Sequence, residues 1–287
     1  MILREALQST TQTLCRAGIA DAAVEAELIV GHILGMSRTQ LYTEPEMDVT
    51  SVEIEQLRQL VRRRLDHEPV AYILGHCEFY GIDFCIDYRT LVPRPETELL
   101  VEKAVELAQH ISQSGKQITI ADVGTGCGAI AISLALALPQ AKIYATDASP
   151  LALQVAEVNC RRHTVDGRVK LLHGNLLEPL PQLIDMIVAN LPYIKDCEFK
   201  DLSPEIRDYE PAVALAGGEN GLDKIREMLE QMTGRLSYGA CFLLEIGLGQ
   251  SKMVTSLIKN YFPKASIELV SDLGGIERVV KAGLQKE

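Results

Sequence analysis

The chain has 287 residues, 47% of them apolar, which is enough for one large domain and a small one, or for two medium ones. Lys and Arg number 28 against 39 Asp and Glu, a net charge of -11, so direct nucleic-acid binding through a broad positive field is not expected. The seven cysteines are odd in number and form no C-x-x-C pair. That pattern argues against a disulfide framework or a metal site, and for reduced thiols in a cytoplasmic setting.

The start, "MILREALQST", meets Glu5 before any long apolar core, so no signal peptide is expected. Residues 1–70 read as helices. Ile2, Leu3, Ala6, Leu7 and Leu14 fall near one face, and Asp21 stands where an N-cap would open "AAVEAELIVGHIL". Ser37 with Gln40, and Thr50 with Glu53, fit the capping-box pattern. The second box opens a helix with Ile54, Leu57, Val61 and Leu65 at helical spacing, and Pro69 stops it. Its basic cluster Arg62, Arg63 and Arg64 reads as a solvated face.

Residues 71–92 read as a hairpin linker. "YILGHCEFYGIDFCID" is rich in aromatic and β-branched residues and carries two glycines, the composition of a β-hairpin. Residues 93–287 then alternate. "ITIADV", "KIYATD", "VKLLHG", "IDMIVAN" and "ACFLLEIG" read as strands, with helices at "AIAISLALAL", "PLALQVAEVNCRR", "GLDKIREMLEQMTGRL" and "MVTSLIKNYF". The end, "SIELVSDLGGIERVVKAG", reads as two strands around a Gly-Gly turn. Strands alternating with helices predict an α/β fold, a parallel sheet covered on both faces, to which the last hairpin adds one antiparallel strand. The longest apolar run, "AIAISLALAL", has ten residues where a membrane span needs about 20, so no membrane association is expected.

"ADVGTGCGAI" follows the first strand of this region and opens a helix. Gly124, Gly126 and Gly128 let a ligand approach the backbone, and Asp147 at the next strand end can accept both hydroxyls of a ribose. Two cofactors fit. Gly124, Gly126 and Ala129 satisfy the loose dinucleotide pattern G-x-G-x-x-A, and Asp122–Gly128 satisfies the D-x-G-x-G-x-G pattern of S-adenosylmethionine loops. Asn175 and Leu176, after the third strand, would sit beside the adenine.

The fourth strand ends in "NLPY". Ligands in such sheets lie outside the carboxyl ends of the strands, so Asn190 is expected to face the transferable group. An element of this type in this place marks methyltransferases acting on a planar nitrogen. Asn190 can accept one N–H of a flat amide, and the backbone carbonyl of Leu191 the other. Pro192 biases Leu191 towards an extended conformation, and Tyr193 offers a ring face. Leu191 is expected to act through its carbonyl alone.

With these motifs in hand, the sequence resembles the release factor glutamine methyltransferases. The likeness is carried by "EPVAYILGHCEFYG", "LVPRPETELLVE", "DVGTGCGAIAISLA", "NLPYI", "EPAVALAGGENGLD", "LLEIGLGQ" and "DLGGIERVV", spanning residues 68–280. The resemblance implies a Rossmann-like class I methyltransferase domain with a mostly parallel seven-stranded sheet and one antiparallel strand. A small helical domain that docks the protein substrate would precede it. It implies S-adenosylmethionine as cofactor and S-adenosylhomocysteine as product. The methyl acceptor would be the glutamine side-chain nitrogen of the Gly-Gly-Gln motif in bacterial peptide-chain release factors. It makes Gly124, Thr125, Gly126, Cys127, Gly128 and Asp147 cofactor contacts, with Arg94, Pro95 and Thr97 flanking. Asn190 would touch both cofactor and glutamine, and Leu191, Pro192 and Tyr193 would surround the amide. The family's usual element is N-P-P-Y, and here Leu191 replaces the first proline. "NLPY" also occurs in ribosomal RNA dimethyladenosine transferases, for which a basic surface and a C-terminal helical domain would be expected. A non-catalytic assembly partner keeping the fold is the third reading. A monomer is expected.

Overall fold

The computed structural model describes residues 1–112 and 117–284. The chain divides into two compact units, one of residues 1–76 with 203–209, the other of residues 77–202 with 210–287, of which the last three lie outside the described residues.

The first unit is helical: α1 (Leu3–Arg16), α2 (Ala22–Leu34), α3 (Arg38–Thr43), α4 (Ser51–Leu65) and α5 (Val70–Leu74). Both expected capping boxes form, with Ser37 and Gln40 opening α3 and Thr50 and Glu53 opening α4. Asp21 does occupy the N-cap of α2, but its side chain makes no capping bond. The apolar stripes of α1, α2 and α4 meet in one core around Leu3, Leu14, Ile29 and Leu57. Arg62 and Arg63 are exposed as expected. Arg64 is not: it is 4% exposed, and its guanidinium bonds Glu25 on α2 at 2.5 Å and Glu205 at 2.7 Å. A solvated reading fails here because two carboxylates from distant sequence neutralise the charge that burial would otherwise penalise.

In the second unit, the hairpin is shorter than the sequence suggested. Tyr72 and Ile73 belong to α5, and the strands are β1 (His76–Phe79) and β2 (Ile82–Cys85). Tyr80 and Gly81, at φ 54° and 70°, make the two-residue turn between them, as a right-handed hairpin twist favours. Not anticipated from sequence is α6 (Thr97–Ser112), whose Leu100, Val101, Ala104 and Ala108 are fully buried. The expected alternation follows: β3 (Thr119–Val123), α7 (Ala129–Ala137), β4 (Lys142–Asp147), α8 (Pro150–Arg162), β5 (Val169–His173) and β6 (Ile184–Ala189). The short helix α9 (Pro204–Tyr209) lies in the segment that belongs to the first unit. Then come α10 (Asp223–Gln231), β7 (Leu236–Glu245), α11 (Ser251–Tyr261), β8 (Ser266–Ser271) and β9 (Glu277–Gly283).

The seven strands are ordered β5-β4-β3-β6-β7-β9-β8. β9 runs antiparallel to both its neighbours and is the one reversed strand. One face packs on α6, α7 and α8 and the other on α10 and α11, each with its own core. The chain order reverses at β3, which has β4 on one side and β6 on the other. Such a switch point opens a crevice at the carboxyl ends of the strands. Register aligns Val123 with Thr146 and with Ala189, so Gly124, Asp147 and Asn190 come off three adjacent strand ends together. No helix among the described residues is long and apolar enough to cross a membrane.

Candidate active site

The glycine loop is built locally. Gly124, Gly126 and Gly128 have φ of 77°, 57° and 87°, in the left-handed region that side chains disfavour, and Gly128 opens α7. Asp122, fully buried at the end of β3, accepts from the Thr125 hydroxyl at 2.6 Å and from the Ala131 backbone N–H at 3.1 Å, stitching strand, loop and helix. Burial pushes its carboxyl up to about 7 against those bonds. Asn159 on α8 adds a second brace. It donates to the carbonyls of Cys85 and Cys127, both at 2.9 Å, and accepts from the Cys85 N–H at 2.8 Å.

Asp147 ends β4 and accepts from the N–H groups of Gly126 (2.9 Å) and Ser149 (2.8 Å). Burial nonetheless raises its carboxyl above the usual aspartate range. One cleft is lined by Gly124, Gly126, Asp147, Asn175, Leu176, Asn190, Leu191 and Pro192, together with Leu91 and Lys224. The sequence-predicted residues therefore converge, although Leu176 takes the uncommon φ of 51° to do so. Asn175 donates to Glu227 at 2.6 Å. Arg94, Thr97, Thr125 and Cys127 border a smaller recess that meets the cleft at Gly124, Gly126 and Asn190. The side chains of Thr125 and Cys127 are buried, one bonded to Asp122 and the other in the core, so only their backbone is available to a ligand. A larger cavity of about 580 Å³ lies in the helical unit between α1 and α4. It holds none of these groups.

The loop after β6 is held from far away. Asn190 donates from Nδ2 to the Thr97 hydroxyl at 3.1 Å. Ile194 pairs with the segment after α9, its N–H bonding Leu215 at 3.1 Å and its carbonyl taking the Gly217 N–H at 2.8 Å. Added Cβ atoms would fall 2.8 Å from the Tyr193 Cα at Gly217 and 2.3 Å from the Tyr193 oxygen at Gly221. Backbone touches backbone at both positions, which is what "AGGENG" supplies. Gln250, buried after β7, donates to the Tyr193 carbonyl at 3.0 Å and accepts from the Gly247 N–H at 2.8 Å.

Two expectations change. The Leu191 side chain is 3% exposed and packs in the core of the α10–α11 face, so it does more than offer a carbonyl. Tyr193 borders neither the cleft nor the recess beside it; its hydroxyl points to Glu245 Oε1 at 3.4 Å. Burial, then the Glu245 charge, push this phenol up to about 12, so it stays protonated. Missed by sequence reasoning were the Thr97 partner of Asn190, the Gln250 brace and the ion pair of Arg94 with Glu210 at 2.5 Å. All three join segments more than fifty residues apart, and no local pattern announces them.

The glycine loop, the acid at the next strand end and the amide at the fourth, on this strand order, define a Rossmann-like methyltransferase. The fold agrees with the solved catalytic domain of hMettl16 bound to a MAT2A 3'UTR hairpin, at a TM-score of 0.56 with 13% identity over 84% of each chain. Residues 99–205 match the methyltransferase small domain and residues 5–75 the PrmC N-terminal domain. Among curated relatives, the release factor glutamine methyltransferase of Koribacter versatilis is 37% identical over 98% of both chains, and that of Moorella thermoacetica 37% identical over 100% of both. The chain belongs to the release factor glutamine methyltransferases.

Proposed function

We propose that this chain transfers a methyl group from S-adenosylmethionine to the side-chain nitrogen (N5) of the glutamine in the Gly-Gly-Gln motif of peptide-chain release factors. One observation carries the reading. Asn190 stands at the end of β6 beside the glycine loop with Nδ2 bonded to Thr97, and among the described residues no hydrogen bond engages its Oδ1. That oxygen is an acceptor for one N–H of a primary amide.

The residues present fit the cofactor. An added Cβ at Gly126 would meet nothing within 4 Å, so the loop leaves room for a ligand, and the Asp147 carboxylate lines the same cleft. Gly124, Thr125, Gly126, Cys127 and Gly128 would hold it through backbone, Asp147 at the ribose, and Asn175 and Leu176 at the adenine, with Arg94 and Thr97 flanking. When bound, S-adenosylmethionine supplies an electrophilic sulfonium methyl. An amide nitrogen is a poor nucleophile because its lone pair is delocalised. The chain's task is therefore orientation: Asn190 Oδ1 and the Leu191 carbonyl would each accept one N–H, and Pro192 would bound the amide plane. Positioning of this kind supplies up to about 7–11 kcal/mol in favourable cases. The reading gives the helical unit the docking of the release factor and places a monomer in the cytoplasm.

The test is mass spectrometry of a release factor incubated with the protein and isotope-labelled S-adenosylmethionine. The expected product carries one labelled methyl on the Gly-Gly-Gln glutamine. Label on adenines of a small-subunit RNA transcript, with none on the release factor, would sink the assignment.

A further inference from the structure

Glu245, the last residue of β7, is a charged side chain with no part in the chemistry above. It is 3% exposed, and its Oε2 is buried without a well-aligned donor. Four groups act on its carboxylate. The Tyr193 hydroxyl lies 3.4 Å from Oε1. The Thr97 hydroxyl neighbours the same carboxylate and lowers its pKa without a well-formed hydrogen bond to it, and Arg278 on β9 supplies a positive field, while Glu96 opposes it. Thr97 is itself buried and accepts from Asn190 Nδ2 at 3.1 Å.

We propose that Glu245 and Thr97 are positioning residues that set which end of the Asn190 amide faces the substrate. An ionised carboxylate only accepts. Thr97 owns one hydroxyl proton, and the buried Oε2 is an acceptor in want of it. With that proton directed to Glu245, the Thr97 oxygen is left to accept, and the group it can accept from is the Asn190 NH2. The carbonyl end of Asn190 then faces the cleft, as an amide donor substrate requires. A site that presented the NH2 end would set donor against donor. The Glu245 acid, Thr97 and Asn190 thus form a relay of fixed polarity, with Tyr193 bonded to the same acid from the other end of the loop. This inference rests on the proposed glutamine substrate only for its catalytic consequence; the orientation of Asn190 is measurable without any substrate.

Burial raises the Glu245 carboxyl above the usual glutamate range, partly offset by the Thr97 and Tyr193 hydroxyls, raised further by Glu96 and lowered by Arg278. Once protonated, Glu245 can donate to Thr97, whose own proton is then free to turn to Asn190 Oδ1. The relay inverts. Transfer should therefore fail as pH drops through the Glu245 ionisation, and be retained above it.

The experiment has two arms on the full chain. In the first, side-chain amide NMR follows the Asn190 Nδ2 protons, assigned by their loss in Asn190→Asp. In the unmodified protein one of them should exchange slowly; in Thr97→Val and Glu245→Gln that protection should disappear, and in Thr97→Ser it should persist. In the second arm, transfer to a release factor should show kcat falling about tenfold or more in Thr97→Val and Glu245→Gln, the scale of one lost or inverted hydrogen bond, with KM for the release factor held within about twofold. Thr97→Ser should restore most of the rate, and Glu245→Gln should lose the acid limb of the pH profile. Unchanged amide exchange in Thr97→Val, or Thr97→Ser as impaired as Thr97→Val, overturns the relay. If the unmodified protein methylates no release factor, the substrate reading has failed, and the NMR arm still decides the relay.

Discussion

The two loops that meet at the switch point are held by different means. The glycine loop after β3 is shaped chiefly by its own residues: positive-φ glycines turn it and Asp122 staples it to its own strand and helix, with Asp147 on the adjacent strand bonding Gly126 and Asn159 on α8 bonding the Cys127 carbonyl. The Asn190–Tyr193 loop after β6 has no such local means. Thr97, Gly217, Gly221, Glu245 and Gln250, spread over 154 positions, supply its bonds and its close contacts. On the proposed reading, the cofactor is served by a turn whose shape is set largely by its own glycines. On the same reading, the acceptor amide is aimed by a loop tied to distant parts of the domain, so that its position depends on the fold being complete.

The largest effect should come from the loop's own functional group. Asn190→Ala should lower the single-turnover rate by about 10²–10³ while leaving the thermal transition in place, because a preorganised acceptor is lost from a partly exposed position. A rate within tenfold of the unmodified protein would remove Asn190 from the mechanism.

Gly221→Ala probes the long-range brace. Its Cβ would fall 2.3 Å from the Tyr193 oxygen at a φ of 70°, so the loop or the segment after α9 must shift. We expect a stability loss of about 1–3 kcal/mol by denaturant titration, together with weakened transfer and little change in cofactor affinity. If cofactor affinity falls as far as transfer does, the two loops are not independently held and the contrast between them is wrong.

Asp147→Ala should act on the other loop alone. Calorimetry should show S-adenosylmethionine binding weakened by about tenfold or more, as loss of a charge-assisted hydrogen bond implies. Binding of NAD in place of S-adenosylmethionine would overturn the cofactor assignment.

The smallest effect is a slope with pH. Burial raises Asp122 to about 7, above its unfolded value of about 4. A carboxyl whose folded pKa is raised stabilises the fold most when protonated. Its contribution is complete below about pH 4 and is lost as pH rises through about 7. The melting temperature of Asp122→Asn should therefore vary less than that of the unmodified protein between pH 5 and 8. Parallel curves would mean that Asp122 does not titrate in that interval.

Much of this molecule is determined by its sequence alone. Strand and helix periods specify the parallel sheet and its order of elements, since each strand's apolar pattern reflects burial on two faces. The capping boxes at Ser37 and Thr50 are equally local, their partners lying within a few residues, and the glycine loop of residues 124–128 is announced by its own spacing. Asp147 and Asn190 are legible because a strand end in a parallel sheet has only one place to be. The tertiary structure alone decided the rest. It buried Arg64 between Glu25 and Glu205, carried the Leu191 side chain into the core, and turned Tyr193 towards Glu245. It also gave Asn190 a partner on α6, a helix that sequence reading did not place. In each case the deciding contact joins residues far apart in the chain, and the free energy of burying a charge or aiming an amide depends on what the fold brings opposite it.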